Sequence, residues 1–261
     1  MESKEHAKMG RWTHSIRVGG MALLMGMGVA SCATKHPVAP TPAPMRAPDV
    51  RAQAALVPPA TFVGEMPCKA CGEMRRTLTL LADGSYRLRQ QYGSSHGGAG
   101  LVVHELGRWQ LDGRRLTLRS ENGRTGNYQL ADSTRLEQLG RDGELLTGNM
   151  AYALSRAAQI DPIAESMRVT GILDPKAGRL ALCGTGQSVA ILGDAGETAA
   201  LTRAVRETQS EGRLWVAIQA EWVEARSQGT AHGQPALRME RLLTTRPGQT
   251  CPATVTPGPA G

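Results

Sequence analysis

Aromatic residues are scarce. Four tryptophans, four tyrosines and one phenylalanine among 261 residues leave a core that Leu, Val and Ala must fill. So few rings, with no basic run interleaved among them, exclude the stacking platforms of a nucleic-acid binder. No Gly-rich phosphate loop, Ser/His/Asp constellation or zinc-finger spacing occurs, so the chain does not read as an enzyme. No apolar run reaches the roughly 20 residues that a permanent membrane helix needs. What is plentiful is glycine (31) and proline (15), which favour turns, short strands and linkers. The net charge of +7 is spread thinly, as on a solvated surface beside an anionic membrane.

Residues 1–31 read as an export signal. Lys4, Lys8, Arg11 and Arg17 precede an apolar, Gly- and Met-rich stretch from Val18 to Ala30. Val29-Ala30-Ser31-Cys32 resembles the bacterial lipobox, which implies acylation of Cys32 (palmitate or a related chain) and a lipid anchor. Several acyl chains on one cysteine hold a protein firmly at a membrane. Ala33 follows where inner-membrane lipoproteins often carry Asp, so the expected site is the outer membrane, facing the periplasm or displayed at the surface. Residues 32–60 hold Pro37, Pro40, Pro42, Pro44, Pro48, Pro58 and Pro59, an extended tether.

Residues 61–156 carry Asp83-Gly84, Asp112-Gly113, Asn122-Gly123 and Asp142-Gly143, strong hairpin signals. Between them apolar residues alternate, as at Leu78/Leu80, Leu116/Leu118 and Tyr128/Leu130. An antiparallel meander closing into a barrel is expected. Val102, His104 and Leu106 share one parity and Trp109 and Leu111 the other, which predicts a bulge at Gly107. Gly93 to Gly100 is expected to be a loop. Residues 157–167 form a connector broken by Asp161-Pro162. Residues 168–251 read as strands around one helix, capped by Asp194 and Glu197 and followed by Leu201, Ala204, Val205 and Thr208 at helical spacing. Leu214, Val216, Ile218, Ala220 and Trp222 line one face of a long strand, and Leu237 and Met239 line a last one. A small OB-like barrel suits this second unit, and other α+β folds fit as well. Residues 252–261 are a tail.

There are five cysteines. With Cys32 lipidated, an even number remains, and outside the cytoplasm disulfides are the expected state. The domain division favours Cys68–Cys71 and Cys183–Cys251. Three readings of Cys68/Cys71 stand side by side. The pair can be a structural staple, a redox-sensitive ring with Lys69 stabilising a thiolate, or a soft-metal site. In the last, Cu(I) would take Cys68 and Cys71 with Met66 and Met74 as thioether ligands, and His96 and His104 close by. The pair leads into a hairpin rather than a helix N-terminus, so disulfide reductase activity is not expected. His36 and His232 read as solvated, and Trp215 and Trp222 as strand core.

The residues resemble a known family, the NlpE-type outer-membrane lipoproteins. The similar features are Phe62-x-Gly64, Pro67-Cys68-Lys69-Ala70-Cys71, Thr77-Leu78-x-Leu80, Asp83-Gly84-x-Tyr86, Gly107-x-Trp109 and Tyr152-x-Leu154-x-Arg156. Farther on, Cys183-Gly184-Thr185-Gly186, the helix around Leu201 and Cys251 resemble the C-terminal domain of longer members. The resemblance implies a mainly β protein, with a lipocalin-like N-terminal barrel and a smaller OB-like domain. It implies a role in envelope or surface-adhesion stress, through the periplasmic domain of a two-component sensor kinase, and an association with copper resistance. A Cu(I)-binding resistance protein and a barrel for a small apolar ligand are the alternatives.

Overall fold

A computed structural model of the protein describes residues 56–68, 71–93, 100–146, 152–207, 213–225 and 233–252. The signal segment, Cys32, His36, Lys69, His96 and His232 lie outside them. Among the described residues no helix is long and apolar enough to cross a membrane.

Eight antiparallel strands close the first barrel in chain order: β1 (Ala60–Cys68), β2 (Gly72–Leu80), β3 (Ser85–Tyr92), β4 (Val102–Asp112), β5 (Arg115–Ser120), β6 (Thr125–Asp132), β7 (Arg135–Gln138) and β8 (Ala153–Arg156). Pairing of β8 with β1 removes the open edges. The expected turns are there, with Gly84, Gly113, Gly123 and Gly143 all at positive φ. At the first of them Asp83 Oδ1 accepts from the Ser85 amide and hydroxyl at 2.8 and 2.6 Å, an Asx turn that fixes the hairpin.

The barrel begins before residue 61. Leu56 is 4% exposed and belongs to the core, and Arg156 donates to the Val57 carbonyl at 3.1 Å. The interior is occupied by Phe62, Leu78, Tyr86, Leu116, Leu130 and Leu136 among others. A lumen filled by Leu and Tyr weighs against a carrier of apolar ligands.

There is no bulge at Gly107. The register runs unbroken through it, opposite Tyr86 on one side and Ser120 on the other. The parity switch has another cause. Trp109 and Leu111 pack against the first core, whereas Leu106 points outward and is buried in the second. One strand therefore serves two cores on opposite faces.

The second barrel comprises β9 (Met167–Asp174), β10 (Arg179–Leu182), β11 (Ser188–Leu192), β12 (Leu214–Ala225) and β13 (Gln234–Pro247), closed in the order β10-β11-β13-β12-β9. The pairing of β11 with β13 is parallel. Helix α1 (Ala195–Glu207) lies between β11 and β12. Asp194 caps it, accepting from the Glu197 amide at 2.8 Å. Leu214, Val216, Ile218, Ala220, Trp222, Leu237 and Met239 share the core as expected.

Candidate functional site

Three features carry chemistry. They are the hairpin tip at Cys68 and Cys71, the disulfide at Cys183 and Cys251, and the face between the barrels.

β1 and β2 are a hairpin whose last pair is Cys68 opposite Gly72. Cys68 and Cys71 are disulfide-bonded across this tip, with Cα atoms 5.3 Å apart. Met66 stands opposite Met74, two residues inward from Cys68. Because side chains alternate along a strand, Met66 shares the inward face with Cys68. The methionines are 3% and 7% exposed, and the half-buried cysteines pack on the same core. The four residues thus meet at one end of the barrel. His104 does not join them. Its register partner is Arg89, itself opposite Thr77, well along the strands from the tip. Its Nε2 lies 3.0 Å from Glu165 Oε1 instead.

Cys183 and Cys251 are joined with Cα atoms 5.1 Å apart and a sequence separation of 68. Cys183 is 2% exposed and packs with Trp215, Ala217 and Ile172 on the outer side of the second barrel. Trp215 is core, as expected, but of this small outer cluster. Arg246 lies over its ring, 5.6 Å from the centroid. The Cys183 amide donates to the Thr170 carbonyl at 3.0 Å, and the Thr170 hydroxyl donates to Glu121 of the first barrel at 2.6 Å. Thr170 therefore ties the disulfide to the other barrel. Burial pushes the Glu121 carboxyl above its ordinary range, against the opposing Thr170 bond. A cavity of about 200 Å³ opens beside it, lined by Glu121, Arg168, Thr170, Trp215, Arg246 and Gln249 among others.

The connector is a built element rather than a plain spacer. Asp161 accepts from Arg89 at 2.5 Å, and Glu165 accepts from the same guanidinium at 2.8 Å. The Thr79 hydroxyl donates to the Asp161 carbonyl at 2.6 Å, and the Asp161 amide donates to Thr61 Oγ1 at 3.0 Å. Ile163 is fully buried in the second core with φ 44°, a conformation rare for a β-branched residue. Arg87 donates to the Pro162 carbonyl at 2.8 Å and lies over the Trp222 ring at 3.8 Å. Arg108 donates to the Thr185 carbonyl at 3.0 Å.

Burial alone would raise the Glu165 carboxyl. Hydrogen bonds from Arg89 and His104 outweigh it and hold the group down at about 2, from 4.5. A carboxyl depressed in the folded state stabilises fully above its unfolded value, and that contribution is lost as pH falls from about 4.5 through about 2. The wild-type unfolding temperature is therefore expected to fall more steeply between pH 5 and 2.5 than that of Glu165→Gln. Parallel acid limbs in thermal melts of the two proteins would contradict this.

Charged groups inside the first barrel were not legible as site residues. Arg76 donates to the Tyr128 hydroxyl at 2.8 Å and to Gln138 at 3.1 Å. Tyr86 donates to Glu105 at 2.5 Å. The signal was parity, since Arg76 alternates in step with Leu78 and Leu80, and Glu105 with Trp109 and Leu111. Among the described residues, no group of three or more His, Cys, Asp or Glu is placed to hold a metal ion.

Comparison with known proteins agrees with the first barrel. The family model for the NlpE N-terminal domain matches residues 62–149. Among solved structures, the Cpx pathway activator NlpE from Escherichia coli aligns at 22% identity, covering 74% of this chain and 98% of its own, with a TM-score of 0.31. A Shewanella oneidensis protein provisionally described as a lipoprotein aligns at 29% identity, covering 41% of this chain and 95% of its own, with a TM-score of 0.35. No curated protein matches the chain. Residues 62–149 thus match the NlpE N-terminal domain, and the chain is NlpE-like over that stretch.

Proposed function

We propose that this protein is a lipid-anchored component of the bacterial envelope that relays envelope or surface-adhesion stress by protein contact. The match of the first barrel to the NlpE N-terminal domain carries the reading. The Escherichia coli structure is described as a Cpx pathway activator, and a two-component sensor kinase is the corresponding partner class here. The anchor is Cys32 at the outer membrane, with the barrels facing the periplasm. The strand order of the second barrel supports an OB-like module, with α1 between its third and fourth strands and its third strand parallel to its fifth.

In this reading the Cys183–Cys251 bridge is the sensing element. Loss of the bridge frees the end of the chain and loosens the second barrel. The Thr170 link to Glu121 offers a route from that event to the first barrel. The test is in-cell crosslinking followed by co-purification. The expected result is enrichment of a sensor kinase with the lipidated protein, greater for Cys183→Ser/Cys251→Ser. Equal recovery of the kinase with an unrelated outer-membrane lipoprotein would overturn it.

A second reading is supported by one observation, the gathering of Met66, Met74, Cys68 and Cys71 at one barrel end. Reduced, these four would offer Cu(I) two thiolates and two thioethers, the soft donors it prefers. Reduced wild type is then expected to hold Cu(I) against a competing chelator and Cys68→Ser/Cys71→Ser to lose it. Equal Cu(I) retention by both proteins would remove the site.

A further inference from the structure

The outward face of β3 and β4 carries Arg87, Arg89, His104, Leu106 and Arg108. Every cationic or imidazole group on it is engaged by the connector or the second barrel. Arg89 receives two carboxylates four residues apart, Asp161 and Glu165. His104 shares Glu165, Arg87 grips the Pro162 carbonyl, and Arg108 grips the Thr185 carbonyl. Leu106 supplies the apolar centre, with Gly184 so close that a Cβ there would sit 2.7 Å from the Leu106 carbonyl oxygen. Threonines at the edge of the face hold the connector backbone at Asp161 in both directions. This is how a short acidic peptide is held by a receptor strand face: carboxylates on a guanidinium, main chain on side-chain donors and acceptors, and an apolar residue at the centre.

We propose that the β3–β4 face of the first barrel is a docking surface for an acidic segment of a partner protein, and that residues 161–165 occupy it as a built-in substitute. The proposal rests on the contact-relay reading and adds where the contact is made and what chemistry it takes. Charge complementarity argues for the occupant: Arg89 and His104 meet the two carboxylates of the connector, while Arg87 and Arg108 meet backbone carbonyls, Arg87 lying also over the Trp222 ring. Exchange is physically accessible. The side chains of Asp161 and Glu165 remain 34% and 39% exposed, so the pairs work against water and salt rather than in a sealed core. The connector carries the unfavourable backbone of Ile163 while docked, a cost set against the burial of that side chain in the second core. A segment tethered in the same chain has the advantage of high effective concentration, so the partner binds once that tether is loosened.

The probe is a fluorescein-labelled peptide of residues 157–166, followed by anisotropy on the full chain. Asp161→Asn/Glu165→Gln protein is expected to bind it at least tenfold more tightly than wild type, whose own connector competes. Adding Arg89→Ala to that variant should weaken binding at least tenfold, as should neutralising both acids in the peptide. Binding should also fall between 50 and 500 mM salt. Wild type gives an independent arm, because the peptide must still saturate it at higher concentration if the connector exchanges. Equal binding of acidic and neutral peptides, insensitivity to Arg89→Ala, or no saturable binding to either protein overturns the proposal. None of these outcomes touches the stress-relay reading, which is decided by signalling output in cells.

Discussion

Replacing Cys183 and Cys251 together by serine is expected to lower the unfolding temperature of the second barrel by roughly 15 °C, through a loss of about 4 kcal/mol. The bridge spans 68 residues of sequence, so it restrains the unfolded chain far more than the three-residue closure at Cys68 and Cys71. Strain and residual structure in the unfolded chain act to reduce the figure. The bridge also packs on Trp215, Ala217 and Ile172, so its loss removes apolar contact as well as restraint. Calorimetry should show the second-barrel transition moving and the first-barrel transition largely in place. Unchanged melting would take the physical basis from the idea that this bridge senses oxidation. Cys68→Ser/Cys71→Ser is expected to shift the first barrel much less.

Gly107→Ala is expected to destabilise the first barrel by about 3 kcal/mol, the upper end of the usual overpacking range. A Cβ at Gly107 would lie 2.1 Å from the Arg119 carbonyl oxygen and 2.6 Å from Tyr86 Cε1. Neither neighbour is free to give way. The carbonyl belongs to the β4–β5 ladder, and the Tyr86 ring is buried with its hydroxyl donating to Glu105. That hydroxyl is held well above the ordinary tyrosine range by burial and by the Glu105 carboxylate beside it, so it remains a donor. Gly126→Ala is the matched control. There the new Cβ would meet Leu118 and Tyr128 at an ordinary 3.7 Å, and the expected change is within about 1 kcal/mol. Denaturant melts giving the same loss for both variants would contradict the packing at Gly107.

The two glycines mark where the sequence could be read and where it could not. Hairpins announced by Asp-Gly and Asn-Gly were legible because turn chemistry is local, and so was the helix start at Asp194 and Glu197. Alternating leucines placed the strands for the same reason. The parity change around Gly107 was visible but misread. A bulge explains it locally, whereas the actual cause is that Leu106 belongs to a core built by residues some 60 and more positions later in the chain. β11 escaped notice, and its parallel partner β13 lies beyond the helix, which no short-range pattern reports. At the candidate sites, the cysteines could be paired by domain because each unit holds two. Arg89, Asp161 and Glu165 could not be chosen, since an exposed cation in a strand and two acids in a connector look like ordinary solvated residues until the fold brings them together. Arg76 and Glu105 were hidden likewise by reading charge as surface.

In the proposed function the protein reports envelope stress by contact, and oxidation of the second barrel restrains it. The most direct measurement is transcriptional output of an envelope-stress two-component system in cells producing wild type, Cys183→Ser/Cys251→Ser, or a Cys32→Ala form matched for abundance. Output is expected to rise several-fold with wild-type overproduction, to rise further without the second bridge, and to change in the Cys32→Ala form. Output identical in all three and in cells lacking the protein would contradict it.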